Sequence, residues 1–227
     1  MKKIFTIAID GPVGAGKSTV ADAVAQQLGI LHLDTGAMYR ALALHVLSLG
    51  MDIQNEQAIT ELIKSNQVHI DVGFEDGAQR TLLNGQDVST LIRTQEVSNA
   101  ASTISRYRLV RQWLVERQQA LATQQSMLLD GRDIGTVVLP QADVKVYLTA
   151  SPETRAQRRY RQLLDQGQQA NFDDVFAQLL SRDHQDQTRA VDPLRQAEDA
   201  VLLDTTHMTF EQSVEAIVQL AEEACRM

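Results

Sequence analysis

Ile7-Ala8-Ile9-Asp10-Gly11-Pro12-Val13-Gly14-Ala15-Gly16-Lys17-Ser18-Thr19 decides the fold. The run Ile4 to Ile9 is β-rich and almost continuously apolar, as a strand buried on both faces of a parallel sheet should be. It breaks into Gly11-Pro12-Val13-Gly14-Ala15-Gly16-Lys17-Ser18, which matches G-x-x-x-x-G-K-[ST]. After it, Val20, Ala23, Val24 and Leu28 line one face of a helix expected over 17–28. A strand, a glycine-rich turn and a helix N-terminus together make a phosphate-binding loop. The glycines let backbone N–H groups converge on phosphate oxygens, and the helix end favours the negative charge. Lys17 should reach the β and γ phosphates, and the Ser18 hydroxyl should ligate Mg²⁺. Gly11 to Thr19 are therefore the expected ATP-binding residues.

Outward from the loop, strands and helices alternate. Strands are expected at 30–33, 126–130, 144–148 and 200–203. Helices are expected at 36–49, 152–166, 172–187 and 210–224, with Ser151 as cap and Pro152 in the first turn of the second. That alternation predicts βαβ units and a parallel sheet covered on both faces. The stretch 68–88 interrupts it with short alternating runs and turn signals at Glu75-Asp76-Gly77 and Asn84-Gly85, which predicts a small antiparallel insertion. The pairs Gln118-Gln119 and Gln124-Gln125 read as solvated surface.

At 227 residues the chain suits one α/β domain. The absence of any run of about 18 apolar residues argues against a membrane span. The start MKKIFTIAIDG lacks the longer apolar stretch and cleavage site of a signal peptide, so a cytoplasmic location is expected. A single cysteine, Cys225, excludes a disulfide framework and a multi-cysteine zinc site. The net charge is −8, yet 16 of the 21 basic residues are arginine. Genomic base composition is one explanation; grip on phosphate, through the planar guanidinium fork, is the other. Location bears on the choice. Blocks 50–90 and 196–227 carry net charges of −5 and −6, whereas 91–149 carries +2. A local anion pocket fits that distribution, and a basic face that coats nucleic acid does not.

Three further clusters bear on the reaction, the first two where strands end, at the edge where open parallel sheets bind ligands. Asp34-Thr35-Gly36-Ala37-Met38-Tyr39-Arg40 follows the second strand, with Arg40 either holding an anionic acceptor or lying on an ordinary helix surface. Leu128-Leu129-Asp130-Gly131-Arg132-Asp133 ends another strand; Asp130 is placed to hold Mg²⁺ through water. Arg155, Arg158, Arg159 and Arg161 crowd one helix, and Arg182, Asp186 and Arg189 share a face of the next. Either acids on the neighbouring helix answer these arginines, or a flap carries them onto a transferring phosphoryl group.

The chain resembles the bacterial cytidylate kinases, within the nucleoside monophosphate kinases. The residues that carry the likeness are IDGPVGAGKST (9–19), LDTGAMYRALAL (33–44), IRTQEVSNAAS (92–102), DGRDIGTVV (130–138) and RDHQDQTRAVDPL (182–194). The resemblance implies a P-loop kinase fold: a five-stranded parallel core (about 1–62, 104–151 and 190–227), an acceptor-binding insertion (about 63–103) and a helical lid (about 152–189). It implies transfer of the ATP γ-phosphoryl group to CMP or dCMP, giving CDP or dCDP. By motif position, Thr35, Ser102, Arg111 and Asp133 would surround the cytosine. Arg40 and Arg132 would face the acceptor phosphate, and Arg182, Asp186 and Arg189 its sugar and phosphate. Lys17, Arg132, Arg158 and Arg159 would act on the transferring group. The physical argument for cytosine stands partly apart from the likeness, because a carboxylate such as Asp133 accepts from the exocyclic amino group and faces an unpaired carbonyl in uracil. No general base is needed, so none of the five histidines receives a role. Rival readings are a small-molecule kinase for shikimate or gluconate, which the Asp-Gly-Arg-Asp segment opposes, and a GTP switch, which would want an N-K-x-D element that no lysine supplies. A silent nucleotide-binding regulator stays open. Nothing in the sequence demands a partner chain, so a monomer is expected.

Overall fold

The computed structural model describes residues 4–165 and 167–226. Residue 166, the last of the helix expected over 152–166, lies outside the described residues, as do Lys2 and Lys3. The core is a five-stranded sheet in the order β2 (Leu31–Asp34), β6 (Met127–Gly131), β1 (Thr6–Asp10), β7 (Val144–Thr149) and β8 (Val201–Asp204). The strand pairs within it are parallel. The first strand begins at Thr6 and not at Ile4, which is exposed.

Strand alternation divides the apolar side chains between two layers. Ile7, Ile9, Leu128, Val146 and Leu148 face helices α1 (Lys17–Leu28) and α8 (Phe210–Arg226). Ala8, Leu33, Met127 and Leu129 face the other layer, built on α2 (Thr35–Ser48), α4 (Gln95–Ile104) and α5 (Arg108–Ala122). The helices α3 (Glu56–Lys64), α4 and α5 were not expected from periodicity. Thr94 and Asn55 cap α4 and α3 with side-chain oxygens, a start signal that the sequence did carry. Gln118 corrects the expectation of a solvated glutamine pair: it is 1% exposed. It falls on the stripe Val110, Leu114, Val115 and Ala122 of α5, so helix geometry turns it inward whatever its polarity.

The insertion is a three-stranded antiparallel sheet, β3 (Ile70–Glu75), β4 (Ala78–Leu83) and β5 (Gln86–Asp87). Its turns place Asp76, Gly77, Asn84 and Gly85 at positive φ, as the turn signals require. Ile70, Val88, Ile92 and Val97 share one apolar cluster with Met38 and Leu42 of α2. The insertion therefore packs as a continuation of the core layer. The helices α6 (Pro152–Asp165) and α7 (Phe172–Thr188) form a hairpin joined by an edge-on Tyr160–Phe172 contact, and Phe172 stacks on Phe176 within α7. No helix among the described residues is long and apolar enough to cross a membrane.

Candidate active site

The C-terminal ends of β1, β6 and β2 deliver Asp10, Asp130 and Asp34 to one edge, in the positions that the parallel register dictates. Asp10 closes β1 and is buried at 4% exposure. Its two carboxylate oxygens accept from the N–H groups of Ile134 and Gly135, both at 2.7 Å. Burial outweighs those bonds and pushes its carboxyl up to about 6. Asp10 thus ties the turn that follows Asp133 to the end of β1, where the phosphate loop begins.

The loop itself leaves β1 at Gly11, where a Cβ would stand 2.0 Å from the Leu148 carbonyl oxygen. Gly16 has φ +86 and occupies the N-cap of α1 with no side-chain cap, so the first N–H groups of the helix remain open to an anion. Lys17 is buried and donates to the carbonyls of Gly11 and Pro12, each at 2.9 Å. Burial, and then the neighbouring Arg132, lowers its ammonium to about 7. Ser18 donates to Asp130 Oδ2 at 2.9 Å.

Across the cleft lies a group of arginines. Arg40 Nη2 pairs with Asp34 Oδ2 at 2.6 Å, and Arg93 Nη1 approaches the same oxygen at 3.6 Å. Burial works against the Asp34 charge, but these guanidiniums hold its carboxyl below the ordinary range. Arg132 Nε pairs with Asp186 Oδ2 at 2.8 Å. Arg182 differs: its Nε is buried and has no hydrogen-bond partner among the described residues, as is also true of Arg40 Nε. Burial, followed by the charges of Arg132, Arg40 and Arg159, lowers the Arg182 guanidinium to about 10.

Deeper, Asp133 is clamped between two arginines. Arg111 Nη2 meets its Oδ2, and Arg189 Nη2 its Oδ1 at 3.4 Å. Arg111 Nε also pairs with Asp192 at 2.7 Å, and its side chain is among the most buried in the chain. Thr35 donates its hydroxyl to the Asp130 carbonyl at 2.7 Å. The Ser102 hydroxyl and carbonyl both accept from Gln185 of α7, at 2.7 and 3.0 Å.

On the hairpin of α6 and α7 the arginines part company. Arg155 is buried and pairs with Asp183 at 2.7 Å, so a neighbouring-helix acid answers this one. Arg158 donates to Thr205 and the Ala15 carbonyl, and Arg159 reaches Gln95 across the cleft at 2.9 Å. Both border a cavity of about 510 Å³ that also meets Gly14, Gly16, Thr205 and Phe210. The structure thus links Ser18 of the loop to Asp130, Arg132 to Asp186, Arg40 to Asp34, and Asp133 to Arg111 and Arg189, while Thr35 sits on the Asp130 carbonyl and Ser102 against Gln185.

The sequence reading missed Asp10, Asp34, Asp183 and Asp192 as anchors, because an acid at a strand end or in a loop carries no signal of which arginine it will meet. It also left every histidine idle. His32 on β2 is buried against Asp130, with Nε2 at 2.8 Å from Oδ1, while Nδ1 lies 2.5 Å from Asp22. Burial opposes its charge, but the bonds to Asp130 and Asp22 prevail and push it up to about 10.

A family model described as cytidylate kinase matches residues 7–223. A cytidylate kinase of Bacillus cytotoxicus is 46% identical over 224 residues, covering 99% of each chain. One from Carboxydothermus hydrogenoformans is 45% identical over 214 residues, covering 94% of this chain and 96% of its own. Among solved structures, an uncharacterized protein from Eubacterium ventriosum aligns with a TM-score of 0.51 at 11% identity, over 96% of this chain and 98% of its own. That last likeness shows the fold alone.

Proposed function

The chain belongs to the cytidylate kinase family, and we propose that it moves the γ-phosphoryl group of ATP onto CMP or dCMP with the cleft residues described above. It is a nucleoside monophosphate kinase, a transferase. The observation that carries the residue assignment is Arg182: a desolvated cation beside Arg132 and Arg40, with a buried N–H that no acceptor among the described residues meets. A buried unpaired donor is costly, and a phosphate oxygen would satisfy it. Lys17 and the open N-terminus of α1 answer from the other side of the cleft.

On this reading Gly11–Thr19 hold the phosphates of ATP, and Lys17 leaves its two carbonyl partners for the phosphoryl oxygens. The cavity beside Arg158 is of a size and lining to take the donor nucleoside, with Phe210 and Met208 offering apolar surface. Arg40, Arg132 and Arg182 hold the acceptor phosphate. Asp186 and Arg189 reach its sugar, and Thr35, Ser102, Arg111 and Asp133 read its base. Arg158 and Arg159 stabilise the transferring group from the lid (about 152–189). The Gln185–Ser102 and Arg159–Gln95 bonds, which already span from lid to insertion, support closure of 152–189 over 63–103.

Mg²⁺ fits the residues present. Ser18 and Asp130 offer hard oxygen donors 2.9 Å apart, and no cluster of three His, Cys, Asp or Glu residues capable of caging a metal exists among the described residues. That donor set suits an ion that keeps its waters and takes phosphate oxygens, and Mg²⁺ would supply charge neutralisation on the triphosphate. The protein's own part is alignment. The acceptor phosphate oxygen is a nucleophile at pH 7 without a base, and the guanidiniums place it in line while the closed lid excludes water.

The test is ADP release with a panel of nucleoside monophosphates, with and without Mg²⁺. CMP and dCMP should turn over far faster than UMP, and only with the metal. Equal rates for all acceptors, or for none, would overturn the assignment.

A further inference from the structure

A chain of side chains runs behind the phosphate loop: Asp22, His32, Asp130, Ser18. Both ring nitrogens of His32 face carboxylate oxygens, Nδ1 at 2.5 Å from Asp22 Oδ1 and Nε2 at 2.8 Å from Asp130 Oδ1. The far oxygen of Asp130, Oδ2, accepts from Ser18 at 2.9 Å. The ring is thus held at both ends, and its Nε2 side fixes one Asp130 oxygen. The fold enforces the arrangement. The parallel register sets His32 beside Leu128, which faces α1. Side chains two residues apart on a strand share a face, so Asp130 faces α1 as well, where Asp22 and Ser18 lie.

Asp130 at the end of β6 has carboxylate oxygens with two different tasks. Oδ1 is tied back into the protein by His32, and Oδ2 is turned to the loop. Without that tie the carboxylate could rotate about its terminal torsion, which is broad and soft. We propose that His32 is a positioning residue for the donor site: it locks the Asp130 carboxylate in the orientation that presents Oδ2 to Ser18 and to the water shell of a divalent cation on the nucleotide phosphates, and Asp22 fixes the ring that does so. Outer-layer partners of this kind hold a metal-facing carboxylate at the angle its ligands need, and their loss commonly costs tenfold or more in metal affinity. The inference rests on the phosphoryl-transfer reading above, but it concerns the donor side alone and needs no acceptor.

The experiment measures ADP binding to the full chain by calorimetry, with and without Mg²⁺, and Mn²⁺ binding to the ADP complex by electron paramagnetic resonance. The variants are His32→Leu, His32→Gln and Asp22→Asn. His32→Leu should lose about tenfold of the metal-dependent gain in ADP affinity and weaken Mn²⁺ comparably, with ADP affinity in the absence of metal unchanged. His32→Gln, which keeps one donor for Asp130, should recover part of that loss. Asp22→Asn, a change at an exposed carboxylate, should give a smaller loss of the same kind. A merely structural histidine would move ADP affinity equally with and without metal, and that outcome overturns the proposal. So do wild-type Mn²⁺ and Mg²⁺ behaviour in both His32→Gln and Asp22→Asn, the pair that decides the matter if His32→Leu fails to fold. A wild-type protein whose ADP binding ignores Mg²⁺ would overturn both this proposal and the reading of the donor site; loss of CMP turnover with intact Mg²⁺-dependent ADP binding would overturn only the acceptor assignment.

Discussion

Asp133 offers the sharpest test, because the residue proposed to read the base is also tied into a buried ion-pair network. It is 6% exposed and stands between Arg111, 1% exposed, and Arg189, 8% exposed. Asp192 also meets Arg111, so two buried cations share two acids. Asp133→Ala leaves one of those cations uncompensated. Removing one partner from a buried pair costs about 3–5 kcal/mol, and for a chain of this size each kcal/mol lowers the melting temperature by roughly 2–4 °C. A fall of roughly 6–20 °C is therefore expected from a thermal melt. That loss would obscure any measurement of base choice in the alanine variant. Asp133→Asn keeps the volume and one acceptor oxygen, and should melt between the two. Its amide also offers a donor to the uracil carbonyl, so the preference for CMP over UMP should narrow by about tenfold to a hundredfold, the worth of one buried unsatisfied group. Steady-state rates with both acceptors provide the comparison. An alanine variant that melts with the wild type would refute the buried network, and an asparagine variant that discriminates as well as wild type would refute the base-reading role.

Gly11→Ala puts a Cβ 2.0 Å from the Leu148 carbonyl oxygen, so the loop or β7 must shift; overpacking of this kind costs roughly 1–3 kcal/mol or more, to be read by chemical denaturation. Arg182→Leu removes a desolvated cation with an unmet donor, so the variant should melt at or above the wild-type temperature while turnover falls by about 10²–10³. A destabilised variant with normal turnover would place Arg182 in the scaffold instead. The Asp10 carboxyl, raised from 3.8 to about 6, favours the folded state in its protonated form. Its contribution is fully present below about pH 4 and is lost as pH rises through 6, by up to roughly 3 kcal/mol. The stability of wild type relative to Asp10→Asn should decline over that window, and a flat or rising difference would contradict the burial argument.

The local features were legible because they depend on neighbours in sequence. The loop Gly11–Ser18 declares itself by its glycines, of which Gly14 and Gly16 sit at positive φ, and by a strand and helix at fixed offsets on either side. The hairpin turns at 75–77 and 84–85 were legible for the same reason, and the structure places Asp76, Gly77, Asn84 and Gly85 at positive φ. Helix α5 escaped notice because its inward stripe includes Arg111 and Gln118, polar residues that a periodicity reading counts as surface.

What the sequence alone determined is the chemistry available: a phosphate loop after β1, acids at the ends of β6 and β2, and arginines on the hairpin of α6 and α7. Tertiary structure decided how those charges pair. Arg155 and Arg182 belong to the same hairpin, yet one is answered by Asp183 and the other keeps an N–H unmet among the described residues. His32 and Asp130 lie 98 positions apart and meet only because two parallel strands set them on one face. Desolvation is what separates such roles, since a charge gains or loses by its burial and its partner, and neither is a property of its place along the chain.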